Sequence, residues 1–504
     1  MDKNKEIRNH RLHRFSQITA CCHSEGKARR ISKPRFLSGV YPERREKTRF
    51  FASLRMTSEG LGMTSFYLCS SVAVFIFYSL FFIPHAFADT SDVYLSITKA
   101  GGAKIRIAIP DFSFQEGAID RENFSRKSAE ILMDDLNNSG FFKAIENRDI
   151  LKEVNTKDKK TGKINFNEWT SSGAETLAKG HITIEGGKIN IECRLYDLKR
   201  GEQIIGYKYS GDRTTFRQMI HKFSDEITYR FTGEKGVAMT MLTFISKATG
   251  NKEVYISDYD GQNIRKITDD KSISLFPKWS PDGKNIIYAT FRYKNPDLYL
   301  INVADGKKTP VSIFPGINAP ATWSPDGNRL AVSLSKDGNA EIYTMDIDGK
   351  NLSRLTKARS IETSPAWSPN EMEIAFTSDR AGSPQIYIMG SDGTNLRRLT
   401  YQGSYNDQSS WSPDGNKIAY TSLNGGQFNI FVIDLVSNKV QQLTSDTGDN
   451  QNPAWSPDGR HIAFSSNRDG KYQIYVMNSD GTDQRRIIYL EGGGYSPSWS
   501  QRIE

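Results

Sequence analysis

Disulfide chemistry is closed to most of this chain. Of four cysteines, Cys21, Cys22 and Cys69 precede residue 88 and only Cys193 follows it. One thiol makes neither an internal disulfide nor a metal cluster. Cys193 also lies in the alternating run KINIECRLYDL, which reads as a buried strand position. Histidine is scarce: beyond residue 88 only His181, His221 and His461 occur, scattered between a strand start, a helix and a later strand. No Gly-x-Ser-x-Gly, His-Glu-x-x-His, phosphate loop or dinucleotide fingerprint is present. Catalytic residues, cofactor and metal are therefore all expected to be none, and the protein is expected not to be an enzyme. A surplus of charge is missing too. The net +9 comes from residues 1–62, with 15 Lys/Arg against 6 Asp/Glu; residues 63–88 are uncharged and the remainder balances. Nucleic acid is thereby excluded as an expected partner.

What is present begins with a head, residues 1–62, that reads as disordered or as an extension from a misassigned start, with Met56 and Met63 as alternative starts. Residues 63–88 read as a signal peptide. The apolar run 66–83 is followed by Pro84 and the small-x-small site Ala86-Phe87-Ala88, placing cleavage near Ala88/Asp89. An uncleaved anchor is the rival reading, since the run just reaches spanning length. After cleavage no membrane insertion is expected.

Internal repetition dominates the rest. Trp279, Trp323, Trp367, Trp411, Trp455 and Trp499 recur every 44 residues, five of them followed by Ser-Pro. Each unit reads as four short antiparallel strands: SSWSPDGNKIAYTS is strand, turn, strand; FNIFVIDL is a third; KVQQLT is a fourth. That period and strand count predict β-propeller blades. The first triplet, from Met241, lacks a Trp strand before it, and the last Trp strand lacks a triplet after it. Pairing the two closes a six-bladed ring over 236–504; an open solenoid would leave both edges bare. Residues 89–103 read as a flexible arm. Residues 104–235 read as a small α/β domain with a helix stopping at Gly140 and another running from Thr214 or Thr215 to Gly233. The fold class is thus multidomain, α/β plus all-β.

A tryptophan repeated six times at one blade position is expected to pack between blades rather than to bind. Function is expected where the repeats disagree: in loops such as DRAGSP, LNGG and NRDG, and in those preceding each Trp. Five and four residues before the tryptophans stand two columns, Ser274, Asn318, Glu362, Asn406, Asn450, Gly494 and Leu275, Ala319, Thr363, Asp407, Gln451, Tyr495. These are expected to ring the channel mouth and offer hydrogen-bonding groups, the competing reading being a hydrated rim without a partner. Ile317, Asn318, Ala319, Glu362, Thr363, Tyr405, Asn406, Asp407, Asn450 and Gln451 are the candidate contacts. Glu362→Lys with Thr363→Ile is expected to weaken partner binding while the ring stays folded. An exported propeller enzyme and a glycan-binding module remain alternatives, the latter needing exposed aromatics, for which Tyr405 and Tyr495 are the visible candidates.

Signal segment, leading α/β domain and six WSPDGxxIAFTS-type repeats together resemble the TolB family of the Tol-Pal envelope system. That resemblance implies a non-enzymatic, monomeric adaptor in the periplasm that supports outer-membrane integrity and cell division. It implies that the lipoprotein Pal binds the propeller's channel face, with INAP (317–320) and ETSP (362–365) among the contacts. It further implies that the arm after the signal peptide, including Asp89, Asp92, Val93 and Tyr94, reaches TolA and the inner-membrane Tol complex.

Overall fold

The computed structural model describes residues 103–503. The expected extension, the signal peptide and the arm residues Asp89, Asp92, Val93 and Tyr94 lie outside the described residues.

The leading domain is a mixed sheet with two helices laid against it. Its strands are β1 (Ile105–Ala108), β2 (Ser113–Phe114), β3 (Phe142–Ala144), β4 (Thr176–Glu185), β5 (Lys188–Asp197) and β6 (Glu202–Gly211). They are ordered β3-β1-β4-β5-β6, with β2 added to β4. β1 runs parallel to both neighbours, whereas β4, β5 and β6 form an antiparallel meander. The helices α1 (Phe124–Asn138) and α4 (Phe216–Thr232) turn Leu132, Leu136, Ile220, Phe223 and Ile227 onto Ile107, Ile191 and Cys193 of the sheet. Gly140 and Gly233 take left-handed conformations just beyond the two helices, where a side chain would be strained. Two further helices, α2 (Arg148–Thr161) and α3 (Phe166–Ser171), were not foreseen. Asn147 caps α2 by accepting from the Ile150 amide. Asp158 then binds the Trp169 indole (2.8 Å) and Lys179 (2.8 Å), tying both helices to β4.

The remaining chain is a ring of six four-stranded blades. Blades 2 to 6 begin with the inner strands Ser274–Trp279, Asn318–Trp323, Glu362–Trp367, Tyr405–Trp411 and Asn450–Trp455. Blade 1 is composite: the last strand, Tyr495–Trp499, pairs antiparallel with Met241–Thr249, Trp499 facing Leu242. The ring closes as the unmatched Trp strand and unmatched triplet required.

The repeated motif explains itself atom by atom. In blade 5 the Ser412 hydroxyl donates to Asp414 Oδ1 (2.5 Å) and accepts the Lys417 amide (2.9 Å). Asp414 in turn accepts the Asn416 amide (3.1 Å), and Gly415 takes a φ of 73°. In the divergent copy Asn370 replaces the aspartate, receiving Ser368 Oγ at 2.7 Å, and Glu371 is forced to a φ of 64°. Each tryptophan is buried between blades. Trp323 Nε1 donates to the Lys278 carbonyl of the preceding blade (3.3 Å), and Trp411 Nε1 to that of Ala366 (3.0 Å).

The α/β domain packs on the end of the ring that carries these stereotyped turns. Tyr259, in the last turn of blade 1, donates to Asp135 of α1 (2.7 Å), and Asp135 also binds His221 of α4 (2.8 Å). Arg217 of α4 bridges to Asp258 and Asp260 in the same turn. Asp225, buried on α4, accepts the amides of Ala238 (3.0 Å) and Met239 (3.2 Å) and pairs with Arg502 at the chain's end (3.1 Å). One carboxylate thus joins helix, linker and closing segment. Burial pushes its pKa up to about 6, against the pull of Arg502 and the two amides.

Candidate partner-binding face

Because the α/β domain occupies the turn end, the opposite end of the ring, with its variable loops, is left uncovered among the described residues. Rigid strands hold those loops, the arrangement in which binding surfaces are usually carried.

Four of the predicted contact residues, and Ser274 of the same column, prove to be deep inside the blades. Asn318, Glu362, Asn406 and Asn450 are each 0% exposed, as is Ser274. They do not face solvent, and Asn406 and Asn450 show why, each donating to a partner 21 residues upstream. Asn406 donates to Gln385 Oε1 (2.9 Å), which also accepts Thr400 Oγ1 (2.9 Å). One blade on, Asn450 donates to Asn429 Oδ1 (3.3 Å), which accepts Thr444 Oγ1 (2.9 Å). Asn318 spends its amide on the carbonyls of Phe314 (2.7 Å) and Gly316 (3.3 Å), and its Oδ1 on Ser312 (2.6 Å) and the Phe314 amide (3.0 Å). Glu362 accepts from Ser360 and Ser378 and pairs with Arg380 (3.0 Å), all under a burial that raises its carboxyl above the ordinary value. Asn318, Glu362, Asn406 and Asn450 thus bolt their inner strands to the preceding blade or to their own second strand. It shapes the loop face from beneath.

The next column is nearly as enclosed. Ala319, Thr363, Asp407 and Gln451 are buried. Asp407 takes Thr377 Oγ1 (2.7 Å) and the Gln408 amide (2.6 Å), and Gln451 donates to Tyr472 (3.2 Å). Tyr405 is half-buried, its hydroxyl on Asp407 (3.1 Å) and its ring edge-on to Phe428. Ile317, also half-buried, stands at the loop end with its amide on Ser335 (2.8 Å).

What the sequence reading missed is the column one residue further on. Every inner strand breaks register there. Phe276, Ser364, Gln408, Asn452 and Ser496 take φ values of 54°, 52°, 60°, 57° and 49°; Pro320 holds the sixth place, after a cis peptide bond. These residues are half-buried rather than enclosed. A bulge of this kind re-aims side chains on the strand, and here it recurs on the edge that lines the channel. Gln408 Oε1 accepts the amide of Asn452 (3.0 Å), linking neighbouring bulges across blades. Left-handed conformation in non-glycine residues leaves no sequence signal, so only Pro320 was visible beforehand.

The exposed apolar side chains of this face were missed as well. Tyr293 (62% exposed), Ile313 (64%) and Tyr401 (72%) project from loops of blades 2 and 4. Arg292 stacks on Tyr293, and Lys294 is exposed in the same loop.

Comparison with known proteins agrees with this architecture. The family described as the TolB beta propeller domain matches residues 229–430 and 409–504, and the TolB amino-terminal domain matches 93–204. Over 216 residues the chain is 38% identical to the Tol-Pal system protein TolB of Desulfosudis oleivorans, covering 43% of this chain and 49% of that one. A second relative of the same name, from Geobacter sulfurreducens, is 39% identical over 201 residues, 40% of this chain and 46% of its own. The chain spans about half the length of these curated relatives. The crystal structure of TolB from Acinetobacter baumannii superposes with a TM-score of 0.67 at 25% identity, covering 80% of this chain and 98% of that one.

Proposed function

The chain belongs to the TolB family, and from that premise we propose that it is a non-enzymatic periplasmic adaptor of the Tol-Pal system. It receives the lipoprotein Pal on the loop face of the propeller and reaches TolA and the inner-membrane Tol complex through residues 89–99. By linking the two it supports outer-membrane integrity and cell division. The observation that carries this reading is the division of the ring's two ends: one is occupied by the α/β domain through Tyr259, Arg217 and Asp225, and the other carries the irregular loops with Tyr293, Ile313 and Tyr401 exposed. Exposed aromatic and apolar side chains are what a protein interface uses as anchors. Support for placing the contacts on exposed loop residues, with Asn318, Glu362, Asn406 and Asn450 beneath them, comes from their burial.

The test is affinity capture on purified Pal and on the periplasmic part of TolA. The unaltered protein is expected to bind both. Ile313→Ala with Tyr401→Ala is expected to weaken Pal roughly tenfold or more while sparing TolA, and removal of residues 89–99 is expected to do the reverse. Absence of Pal binding, beside binding of a glycan or turnover of a substrate at the loop face, would overturn the adaptor reading.

A further inference from the structure

Six inner strands line the channel, and two columns of their residues are half-buried, except Ala454 and Ser498, which are buried. Three residues before the tryptophans stand Phe276, Pro320, Ser364, Gln408, Asn452 and Ser496; one residue before them stand Lys278, Thr322, Ala366, Ser410, Ala454 and Ser498. In twelve positions there is one cation and no anion. The cation is Lys278.

Lys278 differs from the other lysines sunk into this protein. Lys179 pairs with Asp158 (2.8 Å), Lys308 with Asp270, and Lys336 with Asp337 (2.9 Å). No hydrogen bond or ion pair reaches the Lys278 amine among the described residues. Its surroundings are dense enough that burial alone drives its pKa below the ordinary lysine value, with no carboxylate acting on it. Its backbone is fully employed: the strand pairs Lys278 with Ile287, and its carbonyl takes the Trp323 indole. The side chain is therefore held at a fixed height on the wall. A charged amine in such dense surroundings is costly unless an anion meets it, and the protein supplies none among the described residues.

We propose that Lys278 is the anchor for a carboxylate brought into the channel by a partner, an aspartate or glutamate side chain of a peptide loop entering from the uncovered loop face. This rests on the loop face being the partner-binding face. The neighbouring wall suits such a guest. Thr322, Ser364 and Ser410 offer hydroxyl groups without competing charge, and Phe276 and Pro320 add apolar surface to the same two columns. The occupant's chemistry is set by the one charge it must answer: a peptide presenting a single acid, rather than a polyanion, which would find no second cation in these columns.

Two measurements on the purified protein test this. In the first, lysines are ¹³C-dimethylated and their NMR signals titrated, Lys278 being assigned by its loss in Lys278→Met. Its signal is expected to titrate below those of the surface lysines, and to move back up on saturation with the capped peptide Gly-Glu-Gly but not with Gly-Gln-Gly. A signal that titrates with the surface lysines, or that responds alike to both peptides, overturns the anchor. In the second, Lys278→Met is expected to weaken Pal roughly thirtyfold, the scale for truncating one side of an enclosed charge pair, while Lys278→Arg restores most of the affinity. The unfolding midpoint of Lys278→Met is expected to equal or exceed that of the unaltered protein, which separates lost binding from lost fold. Unchanged Pal affinity in Lys278→Met overturns the anchor and leaves the adaptor reading standing. Failure of the unaltered protein to bind Pal overturns the adaptor reading, and the peptide titration then decides the anchor by itself.

Discussion

Glu362→Lys is the substitution where structure and sequence part most sharply. Read from the sequence, it places a charge on a rim and should disturb only a partner. In the folded ring the Glu362 carboxylate is 0% exposed, accepts Ser378 Oγ at 2.9 Å, also holds Ser360, and pairs with Arg380 at 3.0 Å. A lysine there loses every acceptor, strands Arg380, and adds a second cation beside it. Breaking a buried pair by removing one member costs about 3–5 kcal/mol, largely through the uncompensated charge left behind. Each lost hydrogen bond to a charged group adds about 1.5 kcal/mol or more. Against a total stability on the order of 5–15 kcal/mol, the expected loss is about 4 kcal/mol at least, or roughly 10 °C in melting temperature. Glu362→Asn is the control: blades 3, 5 and 6 carry asparagine at this place, so the cost is expected to stay near ~1–2 kcal/mol. Urea denaturation followed by tryptophan fluorescence reads both, since the repeat indoles sit between blades. A Glu362→Lys midpoint within about 1 kcal/mol of the unaltered protein would refute the enclosed site and restore the rim.

Other outcomes follow from the same contacts. Trp411→Phe should cost about 1 kcal/mol more than Trp279→Phe, because Trp411 Nε1 reaches the Ala366 carbonyl whereas Trp279 Nε1 has no acceptor; equal midpoints would refute it. Asp225→Ala and Arg502→Ala should each destabilise by about 3 kcal/mol or more, and the double variant by much less than their sum, as a double-mutant cycle will read. Asp225 also sets a pH dependence. Its folded pKa of about 6 lies above the ordinary 3.8, so the native state binds that proton more readily. Its contribution is fully present below about pH 4 and is lost as pH rises through 6, so Asp225→Asn should flatten the stability profile between pH 4 and 6. Cys193, buried with its pKa driven upward by desolvation, should resist thiol reagents until the protein is unfolded; rapid labelling of the native protein would contradict its place on β5 beneath the helices.

The ring was legible because its evidence is periodic. Six tryptophans at one interval count the blades, and an unmatched strand at each end states the closure. The helices α1 and α4 were legible for the same reason, each carrying a full apolar stripe. α2 was not: among RDILKEVNTKDKKT only Leu151, Val154, Asn155 and Asp158 are buried, too thin a stripe to stand out from charge. The candidate residues lie at the loop end of the ring, but most are enclosed in the blades rather than exposed on a rim. A polar residue beside a variable loop looks the same in sequence whether it faces water or a partner 21 residues upstream, as Asn406 faces Gln385 and Asn450 faces Asn429. The periodic clue was present, in the matching column of Glu253, Asp297, Glu341, Gln385, Asn429 and Gln473, but pairing two columns needs their distance in space. Tyr293 and Tyr401, conversely, sit in loops with no repeat to mark them.

The composite first blade has a consequence for the order of events in making this protein. Trp499 donates its indole proton to Thr240, 259 residues earlier in the chain. In a polypeptide delivered from its N-terminus, three strands of blade 1 are delivered first and wait, edge bare, for a fourth that is delivered last. Until then, blades 2 to 6 can form but stand as an open arc, and the ends of that arc are the template to which a second chain could add. Joining them is a long loop closure, whose entropic cost grows slowly with length but is met only once. The seam is thus a completeness check: a chain cut short even within its final strand cannot become a ring. It also marks where the protein could be rewired, for a circular permutant opened between blades 4 and 5 would carry the seam in its interior and close through an ordinary four-stranded blade instead.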